Sequence, residues 1–261
     1  MSAPGRLPRP DSPECIKGRV VLVTGSGRGL GASVARAAAC RGARVVINCR
    51  SDMTAAHALG DEIGRGGGEA LVACGDVSEY EGARHVVEES LRAFRRVDVL
   101  INTVGAFTWK PVAEMEPAEW RHVMASNVDS VYHMCRLALP SMRGQHWGRI
   151  VNLATVGAEQ TLAQSKVSAY SAAKAAVVAF SKALALEEAR CGITVNVVSP
   201  GAFLEDGPAG RAPQAAHLEA RVPVGRTGEA EDLVRAILFF TSPAAGFLTG
   251  QVLSVAGGWR L

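Results

Sequence analysis

The chain has 261 residues, of which 48% are hydrophobic and 20% charged, and its formal net charge is +3. This composition excludes global disorder, and the length fits one large domain or two small ones. The low net charge and the scattered basic residues argue against nucleic acid or an acidic membrane as a partner. No stretch of 18 or more uncharged apolar residues occurs, so we expect no membrane span.

The predicted elements alternate between strands and helices along the chain. We expect strands at residues 20–23, 45–47, 70–73, 97–101, 150–153, 194–198 and 251–255, and helices at residues 32–40, 54–65, 80–94, 117–143, 169–190 and 229–240. The strands are short apolar runs rich in Val and Ile, which is typical of strands buried on both faces. This alternation predicts a single doubly wound α/β domain, residues 16–261, with a seven-stranded parallel sheet flanked by helices.

The N-terminus and the cysteines give mainly negative information. Residues 1–15 contain four prolines and no apolar run, which predicts a disordered arm rather than a signal peptide. The six cysteines, Cys15, Cys40, Cys49, Cys74, Cys135 and Cys191, form no Cys-x-x-Cys pair and no cluster with zinc-ligand spacing. We therefore predict no metal site, and expect small buried thiols in a reducing, cytoplasmic compartment.

A glycine-rich turn follows the first strand. It reads Thr24-Gly25-Ser26-Gly27-Arg28-Gly29-Leu30-Gly31 and precedes a helix. Glycines permit a sharp turn and close backbone approach to a pyrophosphate, and the helix directs its N–H groups at the phosphates. Two spacings fit: Gly27-x-Gly29-x-x-Ala32, and Gly25-x-x-x-Gly29-x-Gly31, which starts directly at the strand end and is preferred. The order strand, turn, helix predicts a dinucleotide site of Rossmann type.

Tyr170 and Lys174 are four residues apart in a predicted helix. At that spacing both side chains project from one face, and an ammonium lowers the pKa of a nearby phenol because it stabilises phenolate. A tyrosine with a lowered pKa is a useful acid–base catalyst near neutral pH. The spacing is also common by chance, so a solvated helix face is the alternative for this pair alone.

Together these motifs resemble the short-chain dehydrogenase/reductase family. Besides the glycine turn and the Tyr170–Lys174 pair, the segments 149–152, 196–201 and 249–253 look like family segments. The resemblance runs from about residue 18 to 258 and is greatest to the 3-oxoacyl-carrier-protein-reductase-like and glucose-dehydrogenase-like branch. It implies a nicotinamide cofactor, a small or medium ketone or alcohol as substrate, and a homotetramer or homodimer formed through the two long helices.

The resemblance also bears on the choice of cofactor. NAD-specific members carry an acid at the end of the second strand, whereas this chain has Asn48-Cys49-Arg50, with Arg28 in the turn. Two guanidinium groups suit a 2′-phosphate, so NADP(H) is preferred, and the nearby Asp52 leaves NAD(H) open. The cofactor contacts implied by the resemblance are Gly25, Gly27, Arg28, Gly29, Leu30, Gly31, Arg50, Ser51, Asp76, Val77, Asn102, Gly105, Tyr170, Lys174, Pro200 and Gly201. Asp76 has an alternative role as a helix cap.

The resemblance assigns four catalytic residues. Tyr170 is the general acid or base, Lys174 holds the nicotinamide ribose, and the backbone of Asn127 holds a relay water, although a polar residue tolerated within a helix is the alternative. Thr155 replaces the family serine and retains its hydroxyl. It lies fifteen residues before Tyr170, which suggests a longer loop at the pocket mouth. Ser165 and Ser168 are weaker substitutes.

Two further positions depart from the family pattern. Val104 stands where a smaller residue adjoins the cofactor, and Glu205 stands where a threonine contacts the carboxamide. Residues 202–222 would form a substrate lid or a plain surface loop, with Arg211, His217, Glu219 and Arg221 as its charged members. For docking of an acyl-carrier protein, the candidates are Arg136, Arg143 and Arg190.

The sequence leaves three functions open. The first is an NADPH-dependent carbonyl reductase, and the second is a 3-oxoacyl-carrier-protein reductase. The third is a dinucleotide-binding sensor or partner subunit with weak catalysis, which Thr155, Val104 and Glu205 would favour.

Overall fold

Seven parallel strands form one sheet in the computed structural model, which describes residues 16–203 and 219–260. The strands are β1 Val20–Val23, β2 Arg44–Cys49, β3 Glu69–Cys74, β4 Val99–Asn102, β5 Gly148–Leu153, β6 Ile193–Pro200 and β7 Val252–Val255. Their order is β3-β2-β1-β4-β5-β6-β7. The order reverses between β1 and β4, and crevices open at such a point beyond the carboxyl ends of the strands.

Helices cover both faces of this sheet. They are α1 Gly29–Cys40, α2 Met53–Arg65, α3 Tyr80–Phe94, α4 Pro117–Met124, α5 Ser130–Gly144, α6 Ser168–Glu188 and α7 Ala230–Thr241. The predicted single domain of doubly wound α/β type is confirmed. The expected N-terminal arm and the central part of the expected lid, with Glu205, Arg211 and His217, lie outside the described residues.

The predicted helix over residues 117–143 is interrupted. Between α4 and α5 the chain forms a π-helical turn, Ala125–Asp129, whose hydrogen bonds reach one residue further than those of an α-helix. An uninterrupted apolar pattern does not distinguish α from π winding, so the sequence predicted one helix. Asn127 lies in the middle of this wider turn.

The core is divided by the sheet into two layers, as the continuous apolar strands predicted. All four residues of β1 are fully buried. Val34 and Ile237 belong to the layer formed with α1 and α7, whereas Met134 and Val177 belong to the layer formed with α5 and α6. Most strands extend beyond the predicted ends, because backbone pairing continues through polar residues such as Arg44 and Glu69.

Helix α6 and the turn after it, Ser168–Cys191, are long and apolar enough by length and composition alone to cross a membrane. Within the fold, however, this helix lies against the sheet and buries the polar residues Lys174, Ser181 and Glu188. An apolar helix of the interior of an α/β domain has the same composition. The helix is therefore accounted for by its packing on the sheet.

Candidate active site

The glycine turn has the longer of the two spacings considered. Gly25 and Gly29 have φ of +61° and +56°, in the region that side chains disfavour. A Cβ on Gly31 would lie 2.7 Å from the carbonyl oxygen of Gly25, whereas a Cβ on Gly27 would meet nothing closer than 3.6 Å. The glycines that the backbone requires are thus Gly25, Gly29 and Gly31.

Helix α1 begins within this turn. Arg28 precedes its first residue and makes no side-chain cap to it. The first N–H groups of α1 are therefore not satisfied by a side-chain cap. An uncapped helix N-terminus attracts anions through its N–H groups and its dipole.

Asn48 fixes the turn to the neighbouring strands. Its Oδ1 accepts a hydrogen bond from the Gly25 N–H at 3.0 Å, and its Nδ2 donates to the carbonyl oxygens of Ala73 and Gly75. The residue is buried, at the end of β2. Where NAD-specific members of the family carry an acid, this chain thus has an amide side chain that holds the backbone of the glycine turn. The sequence did not reveal this role.

A cleft of about 370 Å³ opens beside the turn. Of the predicted cofactor contacts, it is lined by Gly25, Gly27, Arg28, Arg50, Ser51, Asp76, Val77 and Gly105. The Asp52 carboxylate also lies here, but it caps α2 by accepting a hydrogen bond from the Ala55 N–H at 3.0 Å. The guanidinium groups that line this cleft belong to Arg28 and Arg50.

Asp76 holds the far wall of the same cleft. Its carboxylate accepts hydrogen bonds from the N–H and Oγ of Ser78, and the Arg50 guanidinium lies 3.7 Å away. Burial alone would raise the pKa of Asp76, but the Ser78 hydrogen bonds and the Arg50 charge outweigh it and keep the pKa below its ordinary value. Glu79, not Asp76, occupies the N-cap of α3, so the alternative role as a helix cap is wrong.

Several predicted contacts lie outside this cleft. Asn102 is buried and donates to Asn152 Oδ1 at 2.8 Å, while Asn152 donates to Ser181 Oγ at 2.9 Å. This chain of hydrogen bonds ties α6 to the sheet. Leu30 packs against the core, and Gly201 lines a separate cleft near α7. Pro200 ends β6.

The Tyr170–Lys174 pair lies in the first two turns of α6. Lys174 is buried, and its Nζ donates to the Leu153 carbonyl oxygen at 2.8 Å. The same Nζ is 5.6 Å from the centroid of the Tyr170 ring. Burial lowers the pKa of Lys174 to about 8. The alternative of a solvated helix face is wrong for Lys174, whose ammonium is enclosed beside the phenol.

Asn127 reaches the same place from the π-helical turn. Its Nδ2 donates to the carbonyl oxygens of Ala106 and Val123, both at 2.9 Å, while its buried Oδ1 accepts no hydrogen bond from a described residue. A Cβ on Gly105 would clash with this Oδ1 and lie 3.2 Å from Lys174 Nζ. The missing side chain of Gly105 thus leaves the space that Asn127 and Lys174 share at the inner end of the cleft.

Thr155 shares a second cleft with Tyr170. This cleft has about 390 Å³ and opens between the loop after β5 and the first turn of α6. Ser168 also lines it, whereas Ser165 does not. Phe107 contacts Tyr170 edge-on, with ring centroids 5.0 Å apart, and forms another wall. Tyr170 and Lys174 therefore connect the two clefts, since Gly105 lines the first and Tyr170 the second.

Of the three arginines considered for carrier docking, none lines either cleft. Arg143 pairs with the fully buried Glu188 of α6. The charge of Arg143 is therefore largely neutralised by an ion pair within the fold. Arg136 and Arg190 are exposed.

Several residues of the two clefts were missed from the sequence, and Asn48, Ser126, Phe107 and Arg260 are four of them. Asn48 and Ser126 act on the backbone, since Ser126 Oγ accepts from the Ala106 N–H at 3.0 Å. Phe107 and Arg260 line the second cleft. No motif marks these four positions, because their neighbours in space are distant in the chain.

The sheet order and the clefts at its carboxyl edge define an α/β protein of the doubly wound, dinucleotide-binding Rossmann type. A family model described as enoyl-(acyl carrier protein) reductase matches residues 25–260. The chain is 38% identical over 251 residues to a 3-oxoacyl-[acyl-carrier-protein] reductase of Haemophilus influenzae, covering 94% of this chain and all of that protein. It is 34% identical to the Escherichia coli reductase of the same name, covering 93% and 98%.

Solved structures give the same result. A putative NAD(P)-dependent gluconate 5-dehydrogenase from Beutenbergia cavernae with bound NADP is 39% identical, with a TM-score of 0.87 and coverage of 95% and 99%. A gluconate 5-dehydrogenase from Burkholderia cenocepacia in complex with NADP and tartrate is 33% identical, with a TM-score of 0.87 and coverage of 94% and 96%. The chain belongs to the short-chain dehydrogenase/reductase family, as its motifs predicted.

Proposed function

We propose that this protein is an NADPH-dependent carbonyl reductase that acts on a small or medium ketone, or on the alcohol in reverse. The observation that carries the proposal is the convergence of Tyr170, Lys174 and Asn127 beside Gly105, with Thr155 in the adjoining cleft. A buried ammonium beside a phenol at a cleft is the arrangement that proton transfer to a carbonyl oxygen needs.

The residues present fit a nicotinamide dinucleotide. A Cβ would clash with the Gly25 carbonyl oxygen at Gly31 and with Asn127 Oδ1 at Gly105, so both glycines keep the turn and the cleft open, and α1 offers an uncapped N-terminus. We assign the pyrophosphate to the glycine turn and the nicotinamide ribose to Lys174. A bound cofactor would supply the hydride for reduction or accept it in oxidation.

The chain's own residues would handle the proton. In reduction, the Tyr170 hydroxyl gives its proton to the substrate carbonyl oxygen as hydride adds to the carbonyl carbon, and the product is the alcohol. Lys174 stabilises the phenolate that remains, and Asn127 supports the water that returns a proton to it. The Thr155 hydroxyl donates a hydrogen bond to the same carbonyl oxygen and polarises it.

The preference for NADP(H) rests on Arg28 and Arg50. Both line the first cleft, and the nearby Asp52 carboxylate is engaged in capping α2. A 2′-phosphate would meet two guanidinium groups there, which bind phosphate strongly. The NADP recorded in the two dehydrogenase structures supports this preference.

A second candidate is a 3-oxoacyl-carrier-protein reductase. The names of the Haemophilus and Escherichia relatives favour it. The ion pair of Arg143 with Glu188 reduces the basic surface available to an acidic carrier protein. This is why the small ketone ranks first.

Two broader expectations also remain proposals. We propose a homotetramer or homodimer formed through α4–α5 and α6, and a cytoplasmic location. Sedimentation at several protein concentrations would measure the first, and localisation of a tagged chain the second.

Two measurements test the proposed function. NADPH and NADH dissociation constants come first, and NADPH should bind more tightly by about tenfold or more, the value of one charge-assisted hydrogen bond. A panel of ketones is then assayed, and the oxidation of NADPH is measured by absorbance. Turnover confined to acyl thioesters would favour the second candidate. NADPH binding with no turnover of any carbonyl would instead favour a sensor or partner subunit.

A further inference from the structure

The second cleft, the proposed substrate site, has one charged side chain among the described residues that line it. Among the described residues that line it, the apolar walls include Phe107, Val156 and Leu162, and Arg260 is the single charged side chain. Arg260 is half-buried, and a guanidinium beside apolar walls attracts an anion more strongly than one in open water. Arg260 forms no ion pair with a described residue, and its recorded contact is with the Trp259 ring, 4.8 Å from the guanidinium carbon.

The backbone around Arg260 holds it in this position. Gly257 and Gly258 have φ of +58° and +85°, and Arg260 itself has φ of +58°. A left-handed conformation is disfavoured for a residue with a side chain, so surrounding contacts must maintain it. They are present: the Val224 N–H donates to the Gly257 carbonyl oxygen at 3.1 Å, and the Trp259 N–H donates to that of Ala256 at 2.9 Å. The backbone conformation of residues 257–260 thus places Arg260 at the cleft.

A second polar group of the cleft is also unused. Ser168 Oγ is buried and has no hydrogen-bond partner among the described residues, although Ser168 lines the cleft. A buried hydroxyl without a partner is uncommon and calls for a ligand or water at that place. Ser168 is the first residue of α6, which follows Val167 with no side-chain cap. The positive end of the helix dipole therefore adds to the field of Arg260.

We propose that Arg260 binds a carboxylate of the substrate, with Ser168 Oγ as a second donor, so that the substrates are oxo acids and the corresponding hydroxy acids. This inference rests on the proposed carbonyl reductase. Thr155 and Tyr170 line the same cleft as Arg260, so one small molecule has access to both the proton donor and the cation. A cleft of about 390 Å³ is at the small end of the range for ligand sites, which suits a short oxo acid.

The test compares each acid with its neutral form. Acetoacetate and levulinate are assayed with NADPH beside their methyl esters, and acetoacetyl-pantetheine serves as a neutral thioester. The variants are Arg260→Met and Arg260→Lys, with Arg65→Met as the control, since Arg65 on α2 is exposed and lines neither cleft. Met keeps the length of the side chain and removes its charge.

We expect the wild-type enzyme to prefer at least one acid over its ester. Arg260→Met should lower kcat/KM for that acid by about 10- to 100-fold, mainly through KM, because a charge-assisted hydrogen bond to a remote group is lost in ground and transition states alike. Activity on the methyl ester should change less than about twofold, and Arg260→Lys should recover part of the loss. The Arg65→Met variant should match the wild type on every substrate.

The outcomes separate the two levels of the proposal. Equal losses on acid and ester in Arg260→Met, or a wild type that prefers esters or the thioester, would overturn the carboxylate site while leaving the reductase intact. Absence of NADPH oxidation with every ketone would overturn the reductase itself. Folding is checked by the unaltered ester activity, so a misfolded variant cannot imitate the expected result.

Discussion

The two clefts that meet at Lys174 are built in different ways. The first is formed by glycines and by side chains bonded to backbone, such as Asn48, whose amide holds the turn and the end of β3. The second is walled by the loop after β5 and the start of α6, and it contains Ser168 Oγ, a buried hydroxyl with no described partner. Loop residues can change without disturbing the sheet, whereas changes in a turn held by backbone hydrogen bonds disturb the fold. Differences in substrate between chains of this fold are therefore expected at the second cleft rather than at the first.

The largest effect is expected for Tyr170→Phe, which tests the proposed proton donor where the two clefts meet. Removing the hydroxyl should lower kcat/KM by about 10³-fold while NADPH affinity stays nearly constant, because general acid catalysis supplies rates of this order. Steady-state kinetics and a cofactor titration measure both. Tyr132→Phe is the matched control, since that exposed tyrosine packs against Phe180 and should leave activity unchanged. Near-normal turnover by the Tyr170→Phe enzyme would remove Tyr170 from the mechanism.

Substitutions of Thr155 test whether its hydroxyl polarises the substrate carbonyl in the second cleft. Thr155→Val keeps the shape and loses the hydroxyl, and should lower kcat by about 100-fold, as the loss of one oxyanion donor does. Thr155→Ser keeps the donor and should retain most of the activity. Measurement of kcat for the three proteins on one ketone decides the matter. Equal rates for the Thr155→Val variant and the wild type would instead assign the role to another hydroxyl, such as that of Ser168.

The first cleft, the proposed cofactor site, can be disturbed by substituting glycines of its backbone turn. Gly31→Ala places a methyl group 2.7 Å from the Gly25 carbonyl oxygen, so the turn must shift, and NADPH affinity should fall by about 100-fold. Gly27→Ala meets nothing closer than 3.6 Å and should bind NADPH within about threefold of the wild type. Fluorescence titration compares the two. The reverse order of affinities would favour the shorter glycine spacing.

The smallest expected effect is the pH dependence of stability that the buried Lys174 causes. The pKa of Lys174 is lowered by burial from 10.5 to about 8, so between these values the unfolded chain holds a proton that the folded chain has released. Stability from this group therefore rises with pH above 8, by about 1 kcal/mol between pH 8 and 9. Urea unfolding of the wild type and of Lys174→Met at both pH values gives the difference. A wild-type increment no larger than that of the Met variant would contradict a buried ammonium.

The contrast between the clefts also accounts for what the sequence could predict. The alternation of strands and helices, the glycine turn and the Tyr170–Lys174 pair depend on local patterns, and the structure has them where the patterns indicated. Asn48 was recognised only as a missing acid, because its partners Gly25 and Gly75 are separated from it by more than twenty residues. Arg260 was missed for the same reason, since its neighbours in the cleft, around Thr155 and Tyr170, lie some ninety or more positions earlier in the chain.

The π-helical turn at Ala125–Asp129 carries a consequence for how this sequence can change over time. A π turn contains one residue more than the α turn that would replace it, so deletion of one residue there would yield a smooth helix. That helix would rotate Asn127 by about 100° relative to α5, because each residue of an α-helix turns by that angle. The deletion would improve regular hydrogen bonding and still move Asn127 from Gly105 and Lys174. The placement of Asn127 beside Gly105 and Lys174 therefore depends on the number of residues in this segment as well as on the identity of its side chains.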